Sequence, residues 1–115
     1  MGKAHSNAWR QAPRFFDLKR NVRLHTICGR NVAELEKARV QFGWTNAATD
    51  WGKVVTNPKI DVIDINTPND IHAEIAIAAA KAGKHVLCEK PLALDVEECQ
   101  KMLQAVKKAK VVNMV

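Results

Sequence analysis

Alternating helical and strand patterns predict an α/β protein built on a parallel sheet. Three observations carry this. Strand-like runs at residues 22–28, 61–66 and 84–88 are separated by helical stretches and loops of a few residues, the pattern of parallel strands joined by helices. The run Asp61 to Asn66 (DVIDIN) is β-branched and almost continuous, as a strand buried on both faces should be. Helix start and stop signals stand where the alternation needs them.

The elements follow in order. Residues 3–18 read as a helix with Ala8, Phe15 and Phe16 as apolar contacts and Pro13 as a kink or weak point. Residues 22–28 alternate Val22, Leu24, Thr26 and Cys28, a strand pattern. Asn31 then caps a helix, with Glu34 as its capping-box partner; Val32, Leu35, Ala38 and Phe42 mark its apolar face, and Gly43 ends it. Residues 44–48 form a short edge strand, and residues 49–56 a short helix closed by Asn57-Pro58. After the 61–66 strand, Pro68 and Asn69 break the run. Residues 71–82 are an alanine-rich helix stopped by Gly83, and residues 84–88 the next strand. Asp95 caps the last helix, with Glu98 at its third position and Leu94 stapled to Cys99. Its expected buried stripe is Val96, Cys99, Met102, Leu103 and Val106. Residues 111–115 are a final apolar strand. The chain opens with a helix where this architecture opens with a strand.

Composition narrows the function classes. A chain of 115 residues that is 47% hydrophobic can build one domain with a core. It has no apolar run near the roughly 20 residues of a membrane span, and residues 1–14 lack the apolar core of a signal peptide. Cys28, Cys88 and Cys99 lack metal-like spacing and read as reduced thiols of a cytoplasmic protein, Cys28 and Cys88 as inert buried ones. The net charge of +6 is spread along the chain, densest at Lys107, Lys108 and Lys110. No aromatics interleave with those lysines, so a nucleic-acid surface is not expected, while excess positive charge suits a phosphate-bearing ligand. Trp44 and Trp51 read as packing residues.

Three stretches carry chemistry: Met1-Gly2-Lys3-Ala4-His5, Thr67-Pro68-Asn69-Asp70-Ile71-His72, and Gly83-Lys84-His85-Val86-Leu87-Cys88-Glu89-Lys90-Pro91-Leu92. Through them, and along all 115 residues, the sequence resembles the glucose-fructose oxidoreductase and inositol 2-dehydrogenase family. The third stretch is the most specific. The resemblance implies a Rossmann-type doubly wound parallel sheet lacking its first strand, with residues 1–115 as a partial NAD(P)-binding domain and the C-terminal substrate domain absent. It implies an NAD(P)-dependent oxidoreductase acting on a sugar or polyol as the full-length parent, homo-oligomeric and without nucleic-acid or membrane partners. Two alternatives remain at this point: a non-catalytic NAD(P)-binding regulator of the same fold, and a different Rossmann enzyme that binds S-adenosylmethionine.

The resemblance also assigns residues. Gly2 takes the role of the last glycine of a dinucleotide fingerprint, permitting close packing of helix against strand; the earlier glycines are absent. After the second expected strand stands Cys28-Gly29-Arg30-Asn31, without the carboxylate that receives the 2′-hydroxyl of NAD. Gly29 leaves room for a 2′-phosphate and Arg30 can pair with it, tilting the preference slightly to NADP; Asn31 can still bond a ribose hydroxyl, which keeps NAD open. Thr67, Pro68 and Asn69 are implied to line the cofactor, with His72 nearby. The plainer reading makes Thr67 or Asn69 a helix cap and His72 a first-turn surface residue. Lys90 is implied to be catalytic, its ammonium stabilising alkoxide character as hydride leaves the alcohol carbon. Glu89 orients Lys90 or meets the nicotinamide ribose, and Pro91 fixes the loop, by a cis or a trans bond. No Asp-x-x-x-His pattern for a catalytic histidine occurs. The piece is therefore expected to be inactive alone, and either poorly stable or stabilised by strands re-pairing across the missing one.

Overall fold

The computed structural model describes all residues from Met1 to Val115. They divide into two compact units, residues 1–51 and residues 52–115.

The first unit holds α1 (Gly2–Phe15), β1 (Thr26–Cys28), α2 (Val32–Phe42) and β2 (Asn46–Ala48). Helix α1 runs through Pro13 and ends three residues before the expected Leu18, with Phe16 extended. Strand β1 is only the last part of the expected 22–28 run. Its single partner is β2, parallel, with Thr26 opposite Asn46 and Cys28 opposite Ala48, so the ladder ends where β2 ends. Helix α2 starts as expected: the Asn31 side chain accepts from the Glu34 N–H at 3.1 Å. Its close is a Schellman turn. Gly43 sits at φ +74, and Trp44 N–H reaches back to the Arg39 carbonyl at 3.0 Å, satisfying an end carbonyl that has no partner within the helix. Of the expected apolar face only Leu35 is buried, and Val32 is exposed. The other buried residue of this unit is Ser6, whose hydroxyl accepts from Trp44 Nε1 at 3.1 Å.

The second unit carries β3 (Val62–Ile65), α4 (His72–Lys81), β4 (His85–Cys88), α5 (Val96–Ala109) and β5 (Asn113–Met114), preceded by α3 (Trp51–Val55), which begins at the boundary. The sheet order is β3-β4-β5, all parallel, with Ile63 opposite Val86 and Ile65 opposite Cys88. The expectation that the 61–66 strand is buried on both faces is corrected. Ile63 and Ile65 are buried, but Val62 is 42% exposed. Helix α4 packs on β3 and β4 and against α5, and only the strand positions on its side are covered; the alternation has the period of two that a one-sided strand shows. Alanines at 73, 76, 79 and 80 are buried, and their small side chains let helix and sheet approach closely. Helix α4 ends at Gly83, φ +76, by a second Schellman turn.

Asp95 caps α5 as expected, accepting from the Glu98 N–H at 2.8 Å. The Glu98 carboxylate in turn accepts from Leu94 N–H at 2.9 Å, one residue ahead of the cap. The expected five-residue stripe narrows: Met102 and Val106 are buried, Cys99 is half-buried, and Val96 and Leu103 are exposed. Helix α5 ends on Lys110 in the left-handed region, φ +56. An L-residue there crowds its Cβ against the following carbonyl at a cost of about 1–2 kcal/mol. Lys110→Gly is therefore expected to raise stability by about 1 kcal/mol, read as a higher urea midpoint at unchanged slope.

The five strands form two sheets, β1-β2 and β3-β4-β5. These are the neighbour pairs 3-2 and 4-5-6 of the doubly wound order, and no strand of one sheet pairs with a strand of the other.

Candidate functional site

Strands β3 and β4 are adjacent and parallel, so the loops that follow them leave the same end of their sheet. The loop after β3 is Asn66-Thr67-Pro68, then a 3₁₀ turn, Asn69–Ile71, that runs straight into α4. The loop after β4 is Glu89-Lys90-Pro91. Hydrogen bonding continues from the ladder into this second loop: Glu89 N–H donates to the Ile65 carbonyl at 2.9 Å. The Glu89 carboxylate accepts from the Lys90 N–H at 3.1 Å. The Lys90 side chain is exposed, and the Lys90–Pro91 bond, left open by the sequence, is cis.

His72 is not the surface residue of the plainer reading. It is 1% exposed. Its Nε2 lies 2.8 Å from the Thr67 carbonyl and its Nδ1 3.1 Å from the Pro91 carbonyl. The ring joins the two loops, with one nitrogen at each carbonyl. Neither Thr67 nor Asn69 caps α4, whose N-terminus has no side-chain cap; what joins Asn69 to α4 is its carbonyl, which accepts the His72 N–H.

Sequence reasoning passed over Asn66. Its Nδ2 donates to Asp64 Oδ1 at 2.9 Å, while its own Oδ1 and the Thr67 hydroxyl are buried without a hydrogen-bond partner. Unpartnered buried polar atoms cost about 1–3 kcal/mol each. Their signal in the sequence was faint: two polar residues directly after an apolar strand. Cys88 lies beneath the same loops, 2% exposed. Burial first, then the Asp64 and Glu89 carboxylates, push its thiol up to about 11, so it stays protonated at neutral pH and is inert, as expected.

In the first unit, Gly29 extends the β1 ladder by donating to the Ala48 carbonyl at 3.1 Å. A Cβ at this position would meet only Leu35 Cδ1, at 3.4 Å, and the backbone is not left-handed. Neither a left-handed backbone nor a close backbone neighbour calls for glycine here. Arg30 beside it is exposed. One lone pair of Asn31 Oδ1 is committed to capping α2, which weakens Asn31 as an acceptor for a ribose hydroxyl. Cys28 corrects an expectation: it is exposed, although partial burial of the sulfur and the Asp50 carboxylate raise its thiol above 9.0, against a lowering by the Gly29 N–H. Gly2 is the first residue of α1, a helix end with no side-chain cap and no acidic residue in its first turn. Unsatisfied N–H groups of that kind attract anions.

These features suit a dinucleotide. Within residues 52–115, the turn after β3 holds two buried polar atoms still lacking partners; within residues 1–51, Gly29 follows β1 directly and α1 starts without a side-chain cap.

Comparison with known proteins agrees. Residues 1–115 match the oxidoreductase family with an NAD-binding Rossmann fold, the glucose-fructose oxidoreductase and inositol dehydrogenase group. The chain is 48% identical, over its whole length, to levoglucosan dehydrogenase of Pseudarthrobacter phenanthrenivorans, of which it spans 30%. An oxidoreductase domain protein from Kribbella flavida superposes with a TM-score of 0.95 at 48% identity, covering 100% of this chain and 32% of that one. Levoglucosan dehydrogenase in complex with NADH and levoglucosan superposes with a TM-score of 0.92 at 44% identity, covering 98% and 31%. The chain thus spans about a third of the length of the proteins it matches. With the fold, the end-of-strand loops and these matches in agreement, the chain belongs to the oxidoreductase family whose NAD-binding domain is a Rossmann fold.

Proposed function

We propose that residues 1–115 bind a nicotinamide dinucleotide, and that the protein they serve moves a hydride between it and a hydroxyl of a sugar or polyol. The observation that carries the reading is the exposed Lys90 on the loop after β4, beside the Thr67 turn of the neighbouring parallel strand. Ligands of open α/β sheets bind at this end of the strands. The complex of levoglucosan dehydrogenase with NADH and levoglucosan supports the class of both ligands.

The bound nicotinamide supplies the hydride acceptor. The chain's own residues do the rest. In residues 52–115, Thr67, Pro68 and Asn69 contact the dinucleotide; in residues 1–51, Gly2, Gly29 and Arg30 meet its phosphates and adenosine ribose. Glu89 orders the Lys90 backbone, and Pro91 sets the direction of the loop. The Lys90 ammonium meets the substrate oxygen as it gains alkoxide character, and its fixed positive charge favours that oxyanion. The reading includes a cytoplasmic, homo-oligomeric protein, to be checked by fractionation and sedimentation.

Calorimetric titration of the chain with NAD, NADP and S-adenosylmethionine tests it. Binding of a dinucleotide and none of S-adenosylmethionine is expected; the reverse ends the proposal. Arg30 and the space at Gly29 favour the 2′-phosphate, so NADP is expected to bind somewhat more tightly than NAD. Loss of one charge-assisted bond is worth about 1.5–3 kcal/mol. Arg30→Ala is accordingly expected to weaken NADP about tenfold or more and to leave NAD nearly unchanged. Equal losses for both cofactors would remove Arg30 from the 2′-phosphate.

A further inference from the structure

We propose that His72 is a positioning residue, a two-donor clamp that ties the loop after β3 to the loop after β4 and thereby sets where Lys90 stands. The argument starts from the acceptors. Both ring nitrogens face backbone carbonyls, Thr67 at 2.8 Å and Pro91 at 3.1 Å, and a carbonyl oxygen can only accept. A neutral imidazole carries one N–H, so it could satisfy one carbonyl while turning a lone pair toward the other. The doubly protonated ring donates to both. A bond from a charged donor is stronger than a neutral one, and two such bonds are what offset the cost of burying the charged ring at 1% exposure.

The clamp holds Lys90 from one side. On the other side, Glu89 N–H is fixed to the Ile65 carbonyl of β3. Lys90 is therefore bracketed between two backbone anchors, each of them on or next to the β3–α4 segment. The ring itself has a firm base. His72 is the first residue of α4, its N–H is bonded to the Asn69 carbonyl, and Ala73, Ile75 and Ala76 after it are buried. Pro91 has no N–H of its own, so its carbonyl is the group by which this part of the loop can be hydrogen-bonded. A loop that carries a catalytic side chain without such an anchor would sample several positions, and a misplacement of about 1 Å can cost about a hundredfold in rate.

The experiment has two arms. The kinetic arm rests on the dehydrogenase reading above; the spectroscopic arm does not, so the two can fail separately. In the spectroscopic arm, the chain is labelled with ¹⁵N-histidine. The His72 ring is expected to show protons on both nitrogens; a ring with one protonated nitrogen overturns the clamp. In the kinetic arm, His72→Ala in the full-length protein opens a ring-sized space. Its kcat is expected to fall about 10- to 100-fold, with a smaller change in KM for the dinucleotide. Imidazole, which can carry two N–H donors, is expected to restore the rate, and 1-methylimidazole, which fills the same space with one donor at most, is not. Rescue by both compounds alike would reduce His72 to a space-filling residue, and kcat within about twofold of wild type would overturn the positioning role. If the alanine variant does not fold, the labelled wild-type chain still decides the matter.

Discussion

Lys90→Met in the full-length protein is expected to lower kcat by about 10²–10³, the loss seen when one preorganised donor to a developing oxyanion is removed. Methionine keeps much of the length and apolar bulk of lysine and removes only the charge. The fold should be untouched, because the Lys90 side chain is exposed and the loop is held by backbone groups: Glu89 N–H on Ile65, the Glu89 carboxylate on Lys90 N–H, and His72 at the Pro91 carbonyl. Binding energy for the dinucleotide comes mainly from the phosphate and ribose contacts, so KM for the cofactor should move far less than kcat. Lys107→Met, on the exposed face of α5, serves as the control for loss of one positive charge. A Lys90→Met enzyme turning over within threefold of wild type would remove the ammonium from the chemistry.

Hydrogen exchange of the 115-residue chain is expected to split at the boundary between residues 51 and 52. Within residues 1–51 only Leu35 and Ser6 are buried, whereas residues 52–115 bury Ile60, Ile63, Ile65, Ile75, Val86, Met102 and Val106 together with the alanines of α4. A fully buried aliphatic side chain contributes about 1.5–3 kcal/mol, set against a backbone ordering cost of about 1–2 kcal/mol per residue. The first unit has far less to offset that cost. Amides of α1 and α2 should exchange at least about a hundredfold faster than those of β3, β4 and α4, because two or more such side chains separate the opening energies of the two units. Leu35→Ala should sharpen the split by removing the one buried aliphatic group of the first unit, at a cost of about 2–5 kcal/mol, with the α4 amides unaffected. Uniform protection along the chain would contradict this reading.

Part of the site could be read before any coordinates because its signals are local. The Glu-Lys-Pro loop follows an apolar strand, and the Thr-Pro-Asn turn follows another; the parallel pairing of β3 and β4 then places both loops at one sheet end. His72 was harder. A histidine in the first turn of a helix is compatible with exposure, and only the approach of the Pro91 carbonyl, nineteen residues along the chain, makes it a buried bridge. Lys84 is a similar case. As part of a Gly-Lys-His lead-in it showed nothing of its position, yet it is 8% exposed and its ammonium donates to the Asn57 carbonyl at 2.7 Å.

By itself the sequence determined the order of helices and strands, the caps at Asn31 and Asp95, and the stops at Gly43 and Gly83. Each depends on groups within about five residues of one another, so short-range chemistry is sufficient. Only the tertiary structure decided which apolar positions are buried, how long β1 runs, and that one imidazole joins two loops. Those outcomes depend on which distant segment lies alongside: α4 covers one side of β3 and leaves Val62 open, and β2 pairs with β1 over three residues. Burial and pairing are properties of the partner as much as of the residue.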